Sequence, residues 1–397
     1  MKPYFTALIV WFITFPPHLY AHDFSGFIAG EVRYFPDSPL YADQFSNVDV
    51  SLSFQPEYTH SWDDGYQTFA FVPFVRVDKQ DEERTHFDIR ELTWVKAAQD
   101  WELRLGVRKV FWGVTESQHL VDIINQTDLV ENMDGEDKLG QPMANFAWIQ
   151  EWGTLDFFLL PYFRERTFPG KEGRLYPGIP IDTDNPLYQS GAKEKHVDWA
   201  VRWSRPIDNW DIGISHFSGT GRDPDLLPRV NQAGQLVLQP YYKQINQTGV
   251  DIQMTQEEWL WKLELISRKM PEDRFTAFTG GFEYTFVGIF DSDADIGVIG
   301  EYLHDDRGKN ATTPFDNDLM MGLRLTLNDV QSTELLAGVV VDLDKQGQFY
   351  NLEASRRLGN DWKLSLEARA YGDLDEAETV YPLRNDNYIQ LELAWYF

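Results

Sequence analysis

The chain has 397 residues, with 63 Asp and Glu against 35 Lys and Arg and a formal net charge of -28. That balance offers no basic surface to a phosphate backbone and excludes nucleic acid as a partner. Beyond the N-terminus no apolar run reaches the ~20 residues that a spanning helix needs, and the absence of cysteine removes disulfide frameworks, thiolate metal sites and cysteine nucleophiles together. An aromatic content of 15%, with 14 Trp, 18 Tyr and 27 Phe, needs a place in whatever fold follows.

At the N-terminus Lys2 precedes an apolar stretch from Phe5 to Phe15, broken by Pro16 and Pro17, and Leu19-Tyr20-Ala21 offers a small residue for cleavage. This pattern predicts a cleaved secretory signal peptide over residues 1–21 and a single domain over 22–397. The first strand-like segment begins at Phe24, which leaves no room for a plug domain ahead of it.

From there the chain reads as segments of about ten residues in which apolar and polar side chains alternate, the period of a strand with two different faces. The predicted strands run 24–35, 48–58, 66–77, 85–96, 100–112, 144–152, 154–164, 196–204 and 210–219. They continue at 243–255, 258–268, 275–286, 294–304, 317–327, 332–342, 348–357, 362–372 and 387–397. Val48, Val50, Leu52 and Phe54 share one face against Asp49, Ser51, Ser53 and Gln55 on the other, and Ile389, Leu391, Leu393 and Trp395 oppose Gln390, Glu392 and Tyr396. Full charges on one face suit a water-filled lumen, and the apolar face then meets lipid. The expectation is an all-β fold, a transmembrane antiparallel up-and-down β-barrel of about eighteen strands, with sixteen as the alternative if the turn at Gly153 is a bulge.

The connections alternate in length. The long ones, 113–143, 165–195 and 220–242, fall on one side, and tight turns such as Ala97-Ala98-Gln99-Asp100 and Leu358-Gly359-Asn360-Asp361 fall on the other, as outer loops and periplasmic turns do. Pro73 and Pro161 lie inside predicted strands, where a missing ladder donor signals a bulge or a strand end. Trp101, Trp152, Trp210, Trp259, Trp362 and Trp395 lie near strand ends, the position of an interfacial aromatic girdle.

The final segment, Tyr388 to Phe397, alternates and ends on an aromatic residue. It resembles the C-terminal signal that the barrel assembly machinery reads in Gram-negative outer-membrane proteins. Leu103 to Ser117, LRLGVRKVFWGVTES, followed by VDIIN at Val121 to Asn125, resembles a strand and loop of porin-like barrels related to alginate-export channels. The resemblance implies a diffusion or export channel in a bacterial outer membrane and leaves the solute unnamed. Outer-membrane lipids and lipopolysaccharide are then the surroundings. Porins of this size often assemble as homotrimers, whereas barrels of the alginate-export type act alone.

Counted by strand parity, Arg33, Arg90, Arg104, Arg108, Arg202, Arg268, Arg324, Arg357 and Arg369 point inward, with Glu31, Asp88, Glu102, Glu264, Glu283, Glu301, Glu353, Glu367 and Glu392. Charged rings of this kind select what enters a pore. The bland reading is cross-strand pairing that stiffens the wall, worth ~0.2–1 kcal/mol per contact. The loop from Gly113 to Met143 carries Glu116, Asp122, Asp128, Glu131, Asp134, Glu136 and Asp137, with Val121, Ile123 and Ile124 able to anchor it against the wall. It is expected to fold inward and narrow the channel, the alternative being a solvated surface loop.

The acidic runs at Asp78, Asp81, Glu82 and Glu83 and at Asp373, Asp375, Glu376 and Glu378 read as solvated faces, and no calcium-loop spacing, zinc pattern or other cofactor motif is present. His216 and Ser218 share a strand face, as a base and nucleophile of an outer-membrane lipid hydrolase would. Same-face neighbours on a strand are ~7 Å apart, too far for direct proton transfer, so no catalytic residue is assigned. The function expected from sequence is therefore passive diffusion of small hydrophilic solutes through a charged lumen. A substrate-specific or polysaccharide export channel is the alternative, and an enzyme the weakest reading.

Overall fold

The computed structural model describes residues 22–397, and the expected signal peptide lies outside them. Eighteen antiparallel strands close into one barrel, and the alternation of side chains decides which way each strand faces. The first half of the wall is β1 (His22–Tyr34), β2 (Val48–Trp62), β3 (Gln67–Asp78), β4 (His86–Ala97), β5 (Trp101–Arg108), β6 (Gln141–Gln150) and β7 (Gly153–Leu160). After β8 (Leu187–Tyr188), which lies outside the wall, come β9 (Asp198–Ile207) and β10 (Trp210–Thr220). A hairpin of β11 (Asp225–Val230) and β12 (Leu236–Tyr242) then projects from the rim. The wall resumes with β13 (Gln244–Gln256), β14 (Trp259–Lys269), β15 (Arg274–Phe286), β16 (Asp295–Asp305) and β17 (Asn317–Thr326). It ends with β18 (Glu334–Asp342), β19 (Gln348–Leu358), β20 (Trp362–Gly372) and β21 (Tyr388–Tyr396).

Closure comes from β1 pairing with β21, in register from Phe27 opposite Tyr396 to Tyr34 opposite Ile389. No open strand edge then meets lipid. The terminal Phe397 donates its N–H to the Gly26 carbonyl at 3.1 Å and lays its ring against Phe24 and Phe54. Gly26, at φ +148°, is needed there, because a Cβ would fall 2.4 Å from the Gln55 carbonyl oxygen.

The count of eighteen removes the sixteen-strand alternative: β6 and β7 are separate strands joined by a tight turn, with Gln150 opposite Gly153. Pro161 ends β7 at Leu160, earlier than the alternation suggested, because proline has no N–H for the ladder. Pro73 sits at a register shift between β3 and β4, where Val72 faces Glu91 and Pro73 faces Ile89. Arg90 is the extra residue of that bulge. The small sheet of β8, β11 and β12 was not expected. Its signal was present in the Asn231-Gln232-Ala233-Gly234 turn between two apolar runs, inside a connection read as one long loop.

Val32, Leu52, Val77, Phe87, Leu159, Ile214, Met321, Leu323 and Leu391 stand exposed on the outer face around the barrel. Such a belt is stable against hydrocarbon and not against water, which makes the protein an outer-membrane-type β-barrel. Trp148, Trp152, Trp210, Trp261, Trp362 and Trp395 are exposed at the end that carries the short turns, the girdle expected of amphipathic rings. Placing a charge on the belt is the test: Met321→Arg, near the middle of β17, is expected to cost ~2–4 kcal/mol of stability in lipid vesicles. Ser365→Arg, on the lumen face of β20, is expected to leave stability nearly unchanged. Equal urea midpoints for the two variants would refute the assignment of faces.

Candidate functional site in the barrel interior

The connection after β5, residues 109–140, does not stay on the surface. It enters the barrel, reaches β14, β16 and β17 on the far wall, returns to β3 and β4, touches β20, and leaves into β6. The expected inward anchors Val121, Ile123 and Ile124 are fully buried against Trp112, Phe158, Phe217, Ile245 and Ile266. Burying side chains of this size stabilises by roughly 1.5–3 kcal/mol each. One side of the interior is therefore a dry apolar core. Strand alternation suggested a lumen polar all round; the loop's own apolar residues cover that sector of the wall.

Two wall carboxylates hold the far end of the loop. Glu264 of β14 accepts the backbone N–H groups of Val114 (2.7 Å), Thr115 (3.0 Å) and Val121 (3.1 Å). Glu301 of β16 accepts those of Glu116 (2.8 Å) and Ser117 (2.9 Å), and the Ser117 hydroxyl at 2.6 Å. The turn of the loop thus spends its unpaired donors on fixed negative charge, which gives short, strong hydrogen bonds. Within the loop, Asp122 accepts from the N–H groups of Trp112 (2.6 Å) and Gly113 (3.0 Å), so it shapes the turn and does not face the opening.

The near wall holds the loop with arginines. Arg76 donates to both oxygens of Glu131 (2.9 and 2.8 Å) and to Glu31 at 3.1 Å. The bulge aims Arg90 at Asp128, 2.7 Å away, with its guanidinium 4.5 Å from the Phe74 ring centroid. Arg84 bonds Glu31 at 2.8 Å, Asp78 at 2.9 Å and the Val130 carbonyl at 3.0 Å. Arg76 and Arg84 were not among the expected residues. Parity on β3 would have found Arg76; Arg84 lies in a run that read as a solvated acidic face. Asp81 of the same run is buried too, accepting the Gly170 N–H at 3.0 Å and so tying two outer loops together.

The remaining expected residues fall into separate pairs. Arg33 meets Gln390 at 2.8 Å, and Arg104 pairs with Glu102 at 2.6 Å. Arg104 and Arg108 share the Asn145 side-chain carbonyl, and Arg202 pairs with Asp251. Gly213 lies beneath that last pair, where a Cβ would meet both partners within 2.5 Å. Arg268 bonds Asp223 (2.9 Å) and Gln247 (2.7 Å). Arg324 joins Glu283 (3.1 Å) to Glu116 of the loop (2.6 Å), and Arg369 joins Glu353 (2.8 Å) to Asp134 (2.9 Å).

Two cavities flank the loop. One of about 500 Å³ lies toward the short turns, lined by Gln55, Glu334, Lys363, Ser365 and Glu392 among others. The other, about 750 Å³, lies toward the long loops and mixes charges with Phe168, Leu175, Phe315, Met320 and Phe349. Glu116, Leu336 and Glu353 line both and stand where the cavities meet. His216 and Ser218 are elsewhere: they point to the outer face, where His216 bonds Thr248 at 2.9 Å and packs against Trp199.

Two acids of the loop, Asp137 and Asp128, are displaced from their ordinary values in opposite directions. Burial, helped by the charges of Glu131 and Asp134, pushes the Asp137 carboxyl up to about 7. Burial acts against Asp128 as well, but the His86 ring 3.6 Å away and the charge of Arg90 outweigh it and hold Asp128 at about 2. A raised carboxyl favours the docked loop below its unfolded value near 3.8 and loses that contribution as pH rises through about 7. A lowered one contributes above 3.8 and is lost as pH falls through about 2. The docked loop is therefore expected to be more stable at pH 5.5 than at pH 8.5. Amide exchange across residues 118–138 measures this. Asp137→Asn should remove part of the difference, the rest coming from His119, whose ring, against the effect of burial, Glu136 and Glu264 hold charged up to about 10. Unchanged pH dependence in that variant would reject the assignment.

No known sequence family matches the chain, and no curated protein does. Among solved structures the chain is similar to OccK11 (OpdR) of Pseudomonas aeruginosa, with a TM-score of 0.52 at 9% identity, covering 95% of each chain. A triple mutant of Rhodopseudomonas blastica porin gives a TM-score of 0.45 at 11% identity, over 95% of this chain and 100% of that one. At such identities the likeness to OccK11 is one of fold, a closed barrel of porin type.

Proposed function

We propose that the protein is an outer-membrane channel through which small hydrophilic solutes diffuse passively. The observation that carries this reading is the pair of cavities on the two sides of an inward loop, meeting at Glu116, Leu336 and Glu353 inside a closed wall with an apolar outer belt. In this reading the loop from 113 to 143 sets the width, and Glu116, with Arg324 and Glu353, sits at the passage. Asp122, Asp128 and Glu131 position the loop. The inward arginines and carboxylates set the field that a solute meets. Residues 1–21 act as the export signal, and Tyr388–Phe397 presents the segment read by the barrel assembly machinery. The homotrimer is the assembly proposed.

The test is single-channel recording of the refolded chain, residues 22–397, in a planar bilayer. Discrete, long-lived ohmic steps are expected. A correctly folded barrel that never conducts would reject passive diffusion and favour an export channel closed until a periplasmic partner engages it.

A further inference from the structure

Strand parity places both signs of charge inside the barrel in similar number, which by itself favours neither anions nor cations. What a solute meets depends on which member of each pair reaches water. Around the outer cavity the basic member is recessed in three pairs. The Arg369 side chain is 1% exposed against 45% for Glu353, Arg268 11% against 38% for Asp223, and His119 19% against 53% for Glu136. The reason is chemical: a guanidinium is weakly hydrated and packs on aromatic faces, as Arg268 does on Phe275 at 5.4 Å, whereas a carboxylate keeps its water. Arg307 in the outer cavity and Arg324 in the inner one are exceptions, each more exposed than its partner, Asp305 and Glu116.

In the inner cavity, Glu334 and Glu392 have no basic group within ion-pair distance among the described residues, and neither Lys109 nor Lys363 has an acidic one. Glu334 accepts only from the Ser355 hydroxyl, at 2.9 Å. Carboxylates are thus presented along the whole path: Glu136 and Asp223 outside, Glu353 where the cavities meet, and Glu334 and Glu392 inside. Against them stand Arg307, Arg324, Lys109 and Lys363.

We propose that the pore selects cations, that its solutes are small molecules bearing an ammonium or guanidinium group, and that Glu353 is the residue that sets this preference. The inference rests on the channel reading above. Low-dielectric walls focus the field of the exposed carboxylates into the passage, and the recessed arginines hold those carboxylates in place without offering a counter-site to anions.

The test is the reversal potential of the refolded chain under a KCl gradient, repeated with ethylammonium chloride. A potential of the sign set by cation flow is expected with both salts. Glu353→Gln should shift it toward zero. Glu334→Gln, which gives up a single hydroxyl contact and leaves the fold intact, should shift it the same way by less. A potential at zero, one set by chloride, or one unchanged in both variants would overturn the proposal. A barrel with no conductance at all would instead reject the channel reading on which it rests.

Discussion

Glu264→Ala is expected to undock the inward loop while leaving the barrel closed. Its carboxylate is fully buried, belongs to the wall, and takes three backbone N–H groups of the loop at once. With alanine there, those donors are left in a dry sector with no acceptor, and the His119 ring, 3.5 Å away, keeps only Glu136. The expected loss of docking stability is about 3–5 kcal/mol, the range for removing one member of a buried charged network. The barrel ladder is untouched, because side-chain changes on a strand leave its backbone pairing in place. Recordings should pass from steady steps to rapid flicker, and trypsin should cut at Lys138, which the docked loop buries. A quiet, trypsin-resistant variant would show that Glu264 does not hold the loop.

Excision of residues 118–138 is expected to raise conductance several-fold and to weaken cation preference together. The segment carries six carboxylates and one lysine, so its loss makes the interior more positive. It also frees Arg76 and Arg90 from Glu131 and Asp128 and turns them toward water. The cost falls on stability, because Phe158, Phe217 and Ile266 lose the apolar cover of Val121, Ile123 and Ile124. A wider pore with unchanged selectivity would mean that the loop restricts width alone. Unchanged conductance would remove the loop from the pathway altogether.

The strands and their faces were legible because the period of two is local: each inward charge is named by its distance from an outward neighbour, with no knowledge of the partner strand. Arg33, Arg268 and Glu301 stand on wall strands, and the partners each of them meets there are not named by that period. The interfacial tryptophans were readable for the same reason, since strand ends follow from turns. Parity fails where the chain leaves the ladder. It counted straight through Arg90, whose inward aim is fixed by a bulge that Pro73 announced without saying which residue would be added. It was silent on Arg84 and Asp81, because a side chain in an irregular loop has no fixed phase, and an acidic run looks the same solvated or folded inward.

By itself the sequence determined a closed antiparallel barrel: alternation set the two faces, turn residues set the strand ends, and the even count brought both ends of the described chain to the same rim. Only the tertiary structure decided what the interior is. Whether residues 109–140 lie in solvent or cross the barrel depends on contacts separated by more than a hundred positions, from Val114 to Glu264 and from Glu116 to Glu301 and Arg324. Such contacts leave no periodic trace. Their net energy lies in matching buried donors to acceptors and in covering apolar wall, and both depend on which strands closure brings face to face. The same holds for the sign of the pore. Composition counts charges, but the depth of each partner in an ion pair is set by packing.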